Sequence, residues 1–193
     1  MKPEHGAMIA QRRDHLRARL LEITSGSPGM VLEVGSGHGH FLTAYSAAHP
    51  KELCVGIDIA SDRVVRANRK RERAKLTNLH FILADADDFL DSLPEGVKFT
   101  AVYILFPDPW PKRRHQKHRV LKTAFLNAIA ARTGRGTGLY FRTDHEPYFR
   151  DAEEIIRSHP DWIESDSGSW PFEETTVFQK RADRHFTFVA TRR

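Results

Sequence analysis

Met30-Val31-Leu32-Glu33-Val34-Gly35-Ser36-Gly37-His38-Gly39-His40 is the stretch on which the fold of this chain turns. Its first five residues are a short apolar run broken by one acid, which suits a buried strand. The glycines at 35, 37 and 39 end that run in a tight turn. An apolar segment of helical character, Phe41 to Ala48, follows. Strand, glycine-rich turn and helix in this order open a nucleotide-binding α/β unit. The dinucleotide fingerprint requires G-x-G-x-x-G. Here the third glycine comes one residue early and position 40 is His, which argues against a dinucleotide. Glycines at such a turn let the backbone approach a ligand where a Cβ would clash.

Working outward, Leu53 to Asp58 reads as a second strand that ends in an acid. Asp58 lies 23 residues after Gly35, close to the ~20 at which a carboxylate meets ribose hydroxyls in such units. It can equally cap the helix expected from Ser61 to Lys75. His80 to Asp85 is a third strand, again closed by an acid, which either reaches an adenine amine or caps the short segment 86–92. Phe99 to Phe106 is apolar on both faces and therefore central. Leu139 to Asp144 is a fifth strand, preceded by a turn at Gly134–Gly138. Trp162–Glu164 and His185–Thr191 close the sheet, and helices are expected over 12–23, 120–132 and 147–158. In an open parallel sheet, ligands sit outside the carboxyl ends of the strands, so Glu33, Asp58 and Asp85 converge on one crevice. No repeat or linker divides the chain, which reads as one α/β domain over 1–193 with a helical lead-in over 1–29.

Where the fourth strand stops, the chain reads Phe106-Pro107-Asp108-Pro109-Trp110-Pro111-Lys112, then Arg113-Arg114-His115-Gln116-Lys117-His118-Arg119. The alternate prolines fix φ and bias Phe106, Asp108 and Trp110 toward extended conformations, so this is a stiffened loop. It delivers one carboxylate, Asp108, to the crevice, beside an aromatic ring and ahead of a block of cations. Trp110 suits stacking on an unpaired base or packing against the sheet edge. The net charge of +5, with 11 histidines uncounted, mildly favours an anionic partner. The arginines of the 61–75 helix read first as a solvated face, and second as an extension of an RNA footprint. A single cysteine, Cys54, excludes a disulfide framework. Residues 1–19 are polar, no run approaches membrane-spanning length, and no His/Cys/Asp/Glu cluster has zinc-ligand spacing. A cytoplasmic protein without metal is the expectation.

The order of acid-led glycine turn, acid-ended strands and Phe106–Lys112 with its basic tail resembles the tRNA (guanine-N7)-methyltransferase family, from about Val31 to Lys180. The glycine turn is itself similar to the S-adenosylmethionine site of Rossmann-like methyltransferases. The resemblance implies a three-layer sandwich on a mostly parallel seven-stranded sheet with an antiparallel closing strand. It implies S-adenosylmethionine as cofactor, bound by Glu33, Gly35, Gly37, Gly39, Asp58 and Asp85, and tRNA as partner. Asp108 is then the catalytic acid, and Lys112 and Asp144 contact the substrate. Arg113, Arg114, His115, Lys117, His118 and Arg119 touch RNA, and Thr176, Phe178 and Gln179 close on the target guanosine. Two positions depart from the family. Asp58 stands where Glu is usual, and Val177 and Gln179 stand where the C-terminal signature has a basic residue and an acid. Guanine offers two donors, N1–H and an exocyclic amine, which suit a carboxylate better than an amide. Either Asp108 or Asp144 reads that edge, or guanosine recognition is weaker. Two other readings stay open: methylation of a nucleic-acid amino group, and a non-catalytic RNA-binding protein on the same fold.

Overall fold

The computed structural model describes residues 3–27, 29–165, 170–174 and 184–193, with residues 3–9 as backbone only. Among the described residues, seven strands and six α-helices run in the order α1 (Pro3–Thr24), β1 (Gly29–Val34), α2 (His40–Ala48), β2 (Leu53–Asp58), α3 (Ser61–Arg73), β3 (Leu79–Leu83), α4 (Ala86–Ser92), β4 (Lys98–Leu105), α5 (Thr123–Ala130), β5 (Thr133–Thr143), α6 (Glu146–Ser158), β6 (Trp162–Glu164) and β7 (Phe186–Arg192). One 3-10 turn, Arg113–His118, lies between β4 and α5.

The strands form one sheet in the order β3-β2-β1-β4-β5-β7-β6. Pairings from β3 through β5 are parallel, and β7 runs antiparallel to both of its neighbours. Strand alternation divides the core into two layers. Met30, Leu32 and Val34 face α1, α4, α5 and α6, whereas Val31 faces Phe41, Leu42 and Tyr45 of α2 and Val64 and Ala67 of α3. Trp170 and Phe172 continue that second layer: the Trp170 ring packs tilted against Tyr140, and Phe172 meets Phe41 and Tyr45 edge-on. β4 is buried on both faces through Val102, Ile104, Tyr103 and Leu105. The direction of chain progress reverses between β1 and β4, which opens a crevice at the carboxyl ends of these strands.

Beyond shifts of one or two residues at the ends of other elements, β3, β4, β7 and α3 among them, three elements differ from the sequence expectation. α1 begins at Pro3 and not near residue 12; proline suits a first helical turn. α5 spans only Thr123–Ala130: Lys122 before it is extended (φ −143°, ψ 160°), and the Leu121 N–H donates to the Tyr148 hydroxyl (3.1 Å). β5 starts at Thr133, so the glycine-rich stretch 134–138 is part of a strand. Thr133 pairs with Phe99 and Gly138 with Ala101, and the extra residues between them bulge from the ladder.

The glycines of the β1–α2 turn do different work. Gly35 (φ 75°) and Gly37 (φ 54°) have open space where a Cβ would stand. At Gly39 (φ 68°) a Cβ would run into the Phe81 ring and Ala67, so this glycine seats α2 and α3 against the sheet. Gly39→Ala combines left-handed strain with overpacking and should destabilise the fold by about 2–4 kcal/mol, read as a shifted urea midpoint. Gly35→Ala, in open space, should cost about 1–2 kcal/mol.

Candidate functional site

A cavity of about 390 Å³ occupies the crevice. Gly35 and Gly37 form its floor, Asp58, Ile59 and Asp85 one wall, and Phe106, Pro107, Asp108 and Trp110 the other, with Lys117 and His118 at the basic end. The floor is pinned to β2, since the Gly35 and Ser36 N–H groups both donate to the Ile57 carbonyl (2.8 and 2.9 Å).

Asp58 is only 4% exposed and already partly engaged. One carboxylate oxygen accepts from Gly37 N–H (2.9 Å), the other from Ala60 N–H (2.8 Å) at the start of α3. Both roles expected for it, helix start and ligand acceptor, are compatible: a carboxylate has about four acceptor positions, and two remain for a diol. Arg63, at 3.8 Å, faces the same oxygen as Gly37. Asp85 caps α4 by accepting from Asp88 N–H (2.8 Å), and its other oxygen is 3.6 Å from Arg12 of α1 while its side chain stays on the cavity wall.

Glu33 and Gly39 are not on the cavity wall. Glu33 shares its strand face with Val31 and lies buried beneath the turn, near the Leu42 N–H, with Oε2 lacking a partner among the described residues. Burial, followed by the neighbouring Asp58 carboxylate, pushes its pKa up to about 8. An acceptor in that position is satisfied by an ammonium group or by an ordered water.

The proline loop is stiff, but its backbone is not uniformly extended. Phe106 (φ 50°) and Trp110 (φ 44°) are both left-handed. The residue before a proline is excluded from the right-handed helical region. Where the chain must also turn off the sheet, the left-handed region is the route left, at about 1–2 kcal/mol per residue. Two hydrogen bonds hold this geometry. Phe106 N–H donates to the Arg142 carbonyl (2.7 Å), and Arg119 Nε donates to the Pro109 carbonyl (2.8 Å). Asp108 projects between them, exposed, into the cavity. The Trp110 ring packs on His118 (5.1 Å) and edge-on to His115 (6.0 Å).

Arg119 therefore does not join the exposed cations expected to touch RNA. It is 6% exposed, ion-paired to Asp151 and stacked over the Tyr148 ring at 4.6 Å. Its fixed position beneath Pro109 makes it a strut for the loop. Arg113, Arg114, Lys117 and His118 are exposed, and His115 is half-buried. Lys112 and Asp144 are exposed and outside the cavity lining. Thr176, Phe178 and Gln179 lie outside the described residues.

Three contributors were not anticipated. Ile59, 66% exposed, presents an apolar surface beside Asp58 on the wall, and Arg63 adds a cation there. Arg142, buried in β5, binds both oxygens of Glu173 (3.1 and 2.8 Å) and lies 4.0 Å from the Trp170 ring. An arginine directly after the apolar Leu139-Tyr140-Phe141 was the available signal.

A family profile described as "Putative methyltransferase" matches residues 28–186. A tRNA (guanine-N(7)-)-methyltransferase of Thermus thermophilus is 37% identical over 65% of this chain and 40% of its own length. One from Chromohalobacter salexigens is 30% identical over 94% of this chain and 75% of its own. The chain spans 40 to 61% of the length of the first curated relatives it matches. Among solved structures, the aminoglycoside resistance methyltransferase NpmB1 superposes with a TM-score of 0.62, at 18% identity, over 92% of this chain and 93% of its own. That likeness shows the fold.

Two outcomes follow from this geometry. Arg119→Ala should cost about 2–3 kcal/mol, since it removes a charged hydrogen bond and a stacked cation. Trypsin should then cut faster at Lys112 and Arg113, whereas Arg119→Lys should retain part of the protection. Glu33, whose pKa is higher folded than unfolded, favours folding only while protonated. The ligand-free protein should thus lose roughly 1.4 kcal/mol per pH unit from this group between about pH 5 and 8. Glu33→Gln should remove that slope, measured by thermal unfolding across pH.

Proposed function

The chain belongs to the tRNA (guanine-N7)-methyltransferase family, and from that premise we propose that it transfers a methyl group from S-adenosylmethionine to N7 of a guanosine in tRNA, in the variable loop by the family's habit. The observation that carries this reading is the placement of Asp108. One carboxylate, on a loop braced at both ends, faces across a single cavity the acids that close β2 and precede α4.

The residues present suit the cofactor. Asp58 keeps acceptor capacity for ribose hydroxyls, Ile59 offers an apolar face to a purine ring, and Asp85 stands on the same wall. The unpartnered oxygen of Glu33 lies under the turn that carries Gly35 and Gly37. S-adenosylmethionine, when bound, supplies an electrophilic methyl group on a sulfonium.

Guanine N7 carries a lone pair and no proton, so no general base is required. The protein must hold the purine in line and meet the positive charge that grows on it. Asp108 provides that charge compensation from a preorganised position, and it reorganises little because Pro107, Pro109 and the Arg119 strut fix it. Lys117, Arg113 and Arg114 counter RNA phosphates, while Lys112 and Asp144, exposed outside the cavity lining, contact the nucleotide. With Gln179 in the place of the family's usual acid, Asp108 or Asp144 accepts from the guanine N1–H and amine.

Incubating the protein with S-adenosylmethionine and tRNA should yield N7-methylguanosine on nucleoside mass spectrometry. A methylated exocyclic amine would favour the amino-group alternative. No methylation together with tight RNA binding would favour a non-catalytic binder. Asp58→Ala should weaken cofactor binding tenfold or more, at about 1.4 kcal/mol per decade, in isothermal calorimetry.

A further inference from the structure

A second opening, a cleft of about 400 Å³, lies outside the site just described, lined only by His38, His40, Arg66, Arg69, Lys70 and Arg73. Its histidines flank Gly39 in the turn, and its cations come from α3. Lys70 Nζ donates to the His38 carbonyl (2.9 Å), tying helix to turn so that the cationic side chains have a fixed frame.

Among the described residues, exposed arginines without an acidic partner cluster on this helix face, as they do at Arg113 and Arg114 of the 3-10 turn. Arg12, Arg13, Arg150, Arg157 and Arg184 are all exposed, and each meets a carboxylate. Arg66, Arg69 and Arg73 are equally exposed, and none has an acidic partner among the described residues. Glu72, one acid of the helix, pairs with Arg71. Like charges at i,i+3 and i,i+4 oppose one another and cost helix stability, so the arrangement is disfavoured unless an anion is shared among them.

The stripe is also continuous with the first cavity. Positions 63, 66, 70 and 73 follow helical spacing, and Arg63 sits on the cavity wall beside Asp58. From Arg63 to Arg73 the helix advances about 15 Å. That length matches about four nucleotides of a stacked strand at ~3.4 Å each. α3 follows β2 and the 113–118 cations follow β4, so the two basic surfaces stand on opposite sides of β1.

We propose that Arg66, Arg69, Lys70 and Arg73, with His38 and His40, form a second phosphate-binding surface that holds the sugar-phosphate backbone of the RNA substrate. The inference rests on the tRNA reading above and extends it: the RNA is held from two sides of the cleft. The contact is to phosphates and carries no sequence information; its role is to orient the substrate.

The test is tRNA binding by fluorescence anisotropy between about 50 and 200 mM salt, for the wild type, R66E/R69E/R73E and the milder R66Q/R69Q/R73Q. Both variants should bind at least tenfold more weakly at the low-salt end. The slope of log affinity against log salt should flatten by about 2, as expected for the loss of three phosphate contacts. Unchanged affinity and slope in the glutamine variant, with guanosine N7 methylated normally, overturns this surface and leaves the activity intact. Weakened RNA binding in the variants of a protein that methylates no guanosine N7 supports the surface and rejects the activity.

Discussion

At Phe106 the chain leaves the sheet in a left-handed conformation while its N–H still donates to the Arg142 carbonyl of β5. Much of the ligand end depends on that exit. A right-handed helical turn is barred before Pro107, and an extended exit would carry the chain straight off the strand ends. The left-handed one folds Pro107-Asp108-Pro109 back over the crevice. The strain at Phe106 and Trp110 is affordable because β4 is buried on both faces and Arg119 grips the Pro109 carbonyl from below. The same Arg142 binds Glu173 and lies against Trp170, so the loop and the segment 170–174 share one anchor.

Much of this was legible in the sequence, for a simple reason. Most of the acids that reach the crevice follow an apolar run, and a strand ending at the rim must place its next polar residue there. Asp58, Asp85 and Asp108 were found in that way. What failed were readings that needed tertiary contacts. Arg119 looked like one more cation in a basic block, and only the packing of α6 beneath it, with Tyr148 and Asp151, shows it to be structural. Gly134–Gly138 looked like a turn because glycine marks turns, but bulged strands use glycine as well. Glu33 was grouped with the strand-end acids, whereas alternation along β1 places it with Val31, under the turn and off the cavity wall.

Electrostatically, acids mark the strand ends at the site and most of the cations stand around them, with Arg63 interleaved beside Asp58. Acids gather at the ends of β2, β3 and β4, and cations stand beyond them on α3 and on the 113–118 turn. A cationic ligand part is drawn inward, while a polyanion is held at the rim. No helix among the described residues is long and apolar enough to cross a membrane. Family membership and this arrangement of charge support the same chemistry from independent directions, one from similarity over most of the chain and the other from geometry.

The central claim is that Asp108 acts as a fixed countercharge and not as a base. Single-turnover methyl transfer by Asp108→Asn, with S-adenosylmethionine and tRNA both saturating, tests it most directly. The neutral isostere should slow the chemical step by about 10²–10³-fold while cofactor affinity stays within about twofold. Methyl transfer to guanosine N7 at the wild-type rate in that variant would contradict the account.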